Sequence, residues 1–241
     1  MLSLTEAGSP SSIGAMRPVS FEAGVLAYPA GSCLVSFGNT KVLCAASIEE
    51  GVPPFIEQEG EGWLTAEYAM LPASVPEGRK RRERDSRAVE IQRFIGRSLR
   101  AAVDRTRLGP YTIVMDCDVL QADGGTRTAA ISGGWVALYQ ALGKLAEMQG
   151  VEGPDYFLVG QVAAVSVGMV EGRLVADLDF AHDLAAQVDM NVVMCDDRLV
   201  EVQGNGEKGS FTRDELDAML DLAAREIRII YEAQRAALGI G

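Results

Sequence analysis

Two short stretches of this chain hold residue types that could do chemistry together. The first is Gln121-Ala122-Asp123-Gly124-Gly125-Thr126-Arg127-Thr128-Ala129, between a strand-like run and a helix-like run. Its paired glycines let a backbone approach a ligand without Cβ obstruction. A helix opening just after them aims unpaired N–H groups and its positive dipole end at one point. Thr126 and Arg127 add a hydroxyl and a forked cation, so the natural occupant is an anion, most simply phosphate. The same pattern also serves as an ordinary tight turn from strand to helix.

The second stretch, Asp177 to Asn191, carries four carboxylates and the only histidine, His182. Such density beside apolar strands suits a divalent metal or acid–base chemistry. Asp183 and Asp189 would stand roughly 20 Å apart along one extended strand. In a regular helix they would lie on different faces. They can serve one ligand only if Leu184 to Gln187 bends. Aspartates decorating strand ends would look the same, and Asp177 and Asp179 are weaker candidates for support. His182 reads as a supporting or surface residue, since no second histidine is available to join it.

The elements that must carry these residues follow from periodicity. Cys33 to Phe37 and Lys41 to Ala46 read as a hairpin around Gly38-Asn39-Thr40, and Trp63 to Met70 as a further strand. Ser86 to Asp104 has apolar residues at helical spacing, with Arg93, Arg97 and Arg100 as a second stripe. A strand to Gln121 and a helix from Thr126 to Gln149 close the first half. Val162 to Val170, Arg173 to Phe180, Val188 to Met194 and Leu199 to Val202 supply later strands. Thr212 and Glu215 form a capping box for a final helix to about Ala237. Hairpins with interspersed helices give an α+β class.

Composition narrows the partners. The 241 residues carry a formal net charge of −12. Between Arg79 and Arg107, however, stand eleven Lys/Arg against four Asp/Glu. That concentration is an electrostatic footprint for a polyanion. No apolar run approaches the roughly 18 residues of a membrane span. The first sixteen residues lack the basic start and apolar core of a secretion signal and read as a variable lead-in. Cys33, Cys44, Cys117 and Cys195 have no C-x-x-C spacing, which points to free thiols in a reducing cytoplasm.

Together these stretches resemble the bacterial RNase PH family, phosphate-dependent 3′→5′ exoribonucleases that trim tRNA ends. The resemblance runs from about Arg17 to Ala236. It rests on Arg17-Pro18-Val19, Phe37 to Cys44, Val52 to Phe55, Thr65 to Tyr68 and Met70-Leu71-Pro72. Further matches are Glu90 to Arg93, Ile95 to Arg100, Asp116 to Val119, Gln121 to Thr128, Val188 to Met194 and Glu201 to Gly204. It implies a ribosomal-protein-S5-like fold of two βαβ-like halves with mixed sheets, here one domain over residues 17–241, assembled as a hexameric ring (a trimer of dimers).

It implies inorganic phosphate as co-substrate, held by Arg87, Gly125, Thr126 and Arg127. Asp183 and Asp189 correspond to the catalytic aspartates, holding Mg²⁺ or Mn²⁺. Asp189 could instead protonate the leaving oxygen. Arg79, Lys80, Arg81, Arg82 and Arg84 correspond to the RNA-contacting loop. The expected activity is phosphorolytic trimming of tRNA precursors and other RNAs, in the cytoplasm, with release of nucleoside 5′-diphosphates. A metal-dependent hydrolytic exoribonuclease and a non-catalytic RNA-binding ring subunit are the alternatives. The chain departs from the family in its lead-in, in a basic loop about four residues shorter, and in His182 and Leu184, where Glu and Ser are common.

Overall fold

A computed structural model describes residues 15–56, 60–80 and 86–241. The basic-loop residues Arg81, Arg82 and Arg84 lie outside that set.

The first half opens with β1 (Val19–Ala23), β2 (Gly31–Phe37), β3 (Thr40–Glu50) and β4 (Trp63–Met70). Helix α1 (Ser86–Arg100) and the single turn α2 (Arg105–Leu108) lead to β5 (Tyr111–Gln121) and α3 (Thr126–Gln149). The sheet order is β1-β2-β3-β5-β4, with β4 parallel to β5 and the other pairs antiparallel. The β4–α1–β5 connection is therefore a βαβ crossover, which a parallel pair requires.

The second half holds β6 (Val162–Val170), β7 (Arg173–Ala176), α4 (Phe180–Ala185), β8 (Val188–Cys195), β9 (Arg198–Asn205) and α5 (Arg213–Leu238). Its sheet, β7-β6-β8-β9, is antiparallel throughout. Strands β7 and β8 thus run parallel on either side of β6, joined through α4. The architecture is α+β, as the sequence predicts.

Helix α3 lies between the two sheets, packing on β2 and β3 on one side and β6 on the other. Residues Thr128 to Leu138 are buried without interruption, so the helix is apolar on all sides rather than striped. Gly133 is a point of close approach: a Cβ there would meet Val35 at 2.5 Å. Helix α1 covers β4, and α5 covers β6 and β1. The capping box expected at Thr212 is present, with Glu215 N–H donating to Thr212 Oγ1 at 3.2 Å.

Two readings need correction. Arg173 to Phe180 is not one strand: β7 stops at Ala176, because Asp177 takes φ 54° and turns the chain into α4. The helix predicted to Asp104 ends at Arg100, with Asp104 capping the separate turn α2 through Thr106.

The basic stripe on α1 is largely spent on structure. Arg97 forms a two-pronged pair with Glu201 on β9 (2.6 and 3.0 Å), tying the halves together. Arg100 donates to the Leu64 carbonyl at 2.8 Å and lies 4.5 Å from the Trp63 ring centre.

Candidate active site

The Gly124–Gly125 turn connects β5 to α3. Both glycines have positive φ, 72° and 66°, and Gly125 caps the helix in the left-handed region. Their missing side chains serve the protein rather than a ligand. A Cβ on Gly124 would lie 2.3 Å from the Leu178 carbonyl oxygen, and one on Gly125 would crowd Arg17 and Asp177 at 3.3–3.4 Å. Gly124 therefore allows its loop and the turn before α4 to touch backbone to backbone, and Gly125 leaves room for the Arg17 and Asp177 side chains.

Arg17 fastens this contact. Its Nε and Nη2 donate to the two carboxylate oxygens of Asp177, each at 2.7 Å. Its Nη1 donates to the Asp123 carbonyl at 2.6 Å. Thr40 Oγ1 donates to the Gly124 carbonyl at 2.6 Å and accepts from the Asp123 N–H at 3.0 Å. Asp177 is thus a structural anion. Asp179 is another: its Oδ1 accepts from the His182 N–H at 2.8 Å, capping α4. His182 Nδ1 rests 2.9 Å from the same oxygen.

Helix α4 then places Asp183, and the chain bends through Ala186 and Gln187 into β8, which carries Asp189. The bend required for the two carboxylates to cooperate is present. Asp189 sits opposite Gly168 of β6 and Asn205 of β9.

Arg87, Gly125, Thr126, Arg127, Asp183 and Asp189 line one cleft of about 1900 Å³, together with Lys80. Arg79 is exposed and is not among its lining residues. Burial raises the Asp189 carboxyl to about 6; the charge of Asp183 adds to this, while Arg127 and Arg87 oppose it. Both arginines and Asp183 therefore act electrostatically on Asp189 across the cleft.

Two positioning contacts escaped the sequence reading. Tyr68 Oη and Thr126 Oγ1 share a hydrogen bond at 2.9 Å, which orients the threonine hydroxyl. Gln92 of α1 donates to Glu67 of β4. Both residues belong to stretches that carry the family resemblance, but spacing alone does not reveal partners on different elements.

Among the described residues, no group of three or more His, Cys, Asp and Glu converges on a metal-binding point. A carboxylate pair still suits Mg²⁺ or Mn²⁺. Mg²⁺ in particular is commonly held by one or two carboxylates and completes its shell with substrate phosphate oxygens and water. No helix among the described residues is long and apolar enough to cross a membrane.

Residues 15–142 match the 3′ exoribonuclease family, domain 1, and residues 160–226 match domain 2 of the same family. Ribonuclease PH of Corynebacterium efficiens is 54% identical over 231 residues, covering 93% of both chains. Ribonuclease PH of Corynebacterium diphtheriae is also 54% identical, covering 92% of this chain and 93% of its own. Among solved structures, rice (Oryza sativa) Rrp46 superposes with a TM-score of 0.76 at 18% identity, over 95% of this chain and 98% of its own. The Archaeoglobus fulgidus exosome with RNA bound to the active site gives 0.75 at 20% identity, over 91% of this chain and 89% of that one. The distant structures speak for the fold, and the close relatives for the branch: this chain belongs to the bacterial ribonuclease PH family of 3′ exoribonucleases.

Proposed function

We propose that the chain is a phosphate-dependent 3′→5′ exoribonuclease that trims the 3′ ends of tRNA precursors and other RNAs. The observation that carries this reading is the one cleft lined by Arg87, Arg127, Asp183 and Asp189, in which both arginines are close enough to Asp189 to oppose the rise in its carboxyl. A nucleophile site and a leaving-group site are thereby adjacent. Phosphoryl transfer needs chiefly alignment and charge neutralisation, which this arrangement supplies.

Inorganic phosphate is held by Arg87, Thr126, Arg127 and the N-terminus of α3 at Gly125, with Tyr68 fixing the threonine hydroxyl. One of its oxygens attacks the phosphorus of the terminal 3′,5′-linkage. The bond from that phosphorus to the 3′-oxygen of the preceding nucleotide breaks. The products are a nucleoside 5′-diphosphate and an RNA one residue shorter. Asp189, kept partly protonated by its buried setting, donates the proton that the departing 3′-oxygen takes up. Asp183 and, when ionised, Asp189 would hold Mg²⁺ or Mn²⁺, which when bound neutralises charge on the scissile phosphate.

The backbone of the RNA runs along the basic segment of Arg79, Lys80, Arg81, Arg82 and Arg84. Residues 17–241 act as one domain, a reading supported by α3 packing on both sheets. Self-association into a homo-oligomeric ring, a hexamer built as a trimer of dimers, accords with the likeness to exosome chains. Four unpaired cysteines, three of them buried, suit a cytoplasmic location.

Incubating Arg127→Ala with a 3′-extended tRNA and phosphate tests the assignment. The expected result is loss of diphosphate release. Undiminished release would remove Arg127 from the site, and phosphate-independent release of monophosphates by the unaltered protein would establish hydrolysis instead.

A further inference from the structure

The active-site cleft contains an apolar surface that neither the phosphate site nor the aspartate pair uses. Phe180 and Leu184 stand four residues apart on α4, hence on one face of that helix. Both line the cleft, and they are 44% and 62% exposed. Two large hydrophobic groups left this open to solvent inside a charged cleft form an apolar patch of the kind that marks a ligand site. Asp183, on the same helix between them, fixes their distance from the chemistry at one turn or less.

Among the described residues, the cleft has one other aromatic lining residue, Tyr68. It is 5% exposed and its hydroxyl is engaged with Thr126, so it offers no free ring face. An exonuclease that removes successive nucleotides must hold each terminal base without reading its identity. Stacking on an aromatic ring meets that requirement, because every base presents a π-face.

We propose that Phe180, backed by Leu184, is the stacking platform for the 3′-terminal nucleobase of the RNA. The proposal rests on the phosphorolytic reading of this cleft and adds to it a substrate-binding residue. The Leu184 carbonyl accepts from Lys208 Nζ, which fastens the end of α4 to the segment after β9 and keeps the platform in place. The terminal base lies against α4 while its phosphate lies over Asp183 and Asp189.

The test compares the unaltered protein, Phe180→Ala and Phe180→Tyr on a short RNA and on the same RNA ending in an abasic ribose. KM is measured separately for RNA and for phosphate. Phe180→Ala is expected to raise the KM for normal RNA about tenfold, within the range for loss of one base–aromatic stack. The KM for phosphate stays the same, and Phe180→Tyr retains the RNA KM. The abasic RNA binds the unaltered protein and Phe180→Ala equally weakly. An unchanged RNA KM in Phe180→Ala, or an equal penalty on normal and abasic ends, overturns the platform. Both comparisons remain readable even if the released nucleotides prove to be monophosphates, an outcome that would instead defeat phosphorolysis. The abasic-end comparison on the unaltered protein also needs no variant to fold: equal KM for both RNAs there likewise overturns the proposal.

Discussion

Arg17 and Asp177 stand 160 residues apart in sequence and meet in a two-pronged ion pair with both bonds at 2.7 Å. Their side chains are 9% and 0% exposed. Arg17 also holds the Asp123 carbonyl, so one side chain joins the Gly124–Gly125 loop, the proposed phosphate site, to the turn that launches α4. Removing one member of a buried pair strands the other charge, at a cost of about 3–5 kcal/mol. Arg17→Ala should lose stability of that order in urea unfolding and raise the KM for phosphate. Arg17→Lys should not restore the phosphate KM, since an ammonium cannot reproduce the planar fork. An unaltered phosphate KM in folded Arg17→Ala protein would separate the pair from the loop.

The Asp189 carboxyl, raised to about 6 first by burial and then by Asp183, sets the pH behaviour. If it donates its proton to the leaving 3′-oxygen, kcat/KM falls as pH climbs through that value. Bound anionic substrates push the carboxyl higher still, so the alkaline limb of kcat lies above that of kcat/KM. Asp189→Asn should cost about 10²–10⁴-fold in rate, the usual range for a lost general acid. A pH–rate profile with a rising limb near 6 would assign Asp189 to work as the carboxylate.

The same shift has a signed effect on stability. Between about pH 4 and pH 6 the folded chain binds the Asp189 proton more tightly than the unfolded chain does. Stability therefore falls as pH rises across that window. Asp189→Asn should be more stable than the unaltered protein at pH 8, by about 3 kcal/mol. The difference should vanish below the unfolded carboxyl range. Urea melts at pH 3.5 and pH 8 check both signs.

Neutralising Arg79, Lys80, Arg81, Arg82 and Arg84 should weaken RNA binding and flatten its salt dependence. The slope of log K against log salt shrinks by about 0.7 for each single-strand phosphate that is no longer neutralised. The KM for phosphate should stay put. RNA affinity unaffected from low to high salt would assign the segment to another surface.

The bounds of α3 and the place of Gly124–Gly125 were legible because strand period, glycine pair and helix period follow one another without interruption. The short strand β1 was not: its residues alternate between half-buried and exposed, leaving little apolar signal. The misreading of Arg173 to Phe180 has a different cause. Nothing near Asp177 announces a positive φ there, because the partner that accounts for it, Arg17, lies at the other end of the chain. The aspartate pair was likewise visible as composition, whereas its convergence depended on a bend that local sequence permits but does not require. Of the arginine stripe on α1, Arg97 and Arg100 proved to be largely ties within the fold.

Helix α3 begins at the Gly124–Gly125 loop and passes through the middle of the molecule, wedged between both sheets. A site built on a surface loop can melt ahead of its scaffold, since local opening requires little free energy there. The part of the proposed site carried by α3 has no such separate mode. To loosen Gly125, Thr126 and Arg127, the molecule must disturb a helix whose first three turns are almost wholly buried. Heat should therefore abolish phosphate binding and secondary structure along a single curve, with no interval in which the enzyme is folded but inert.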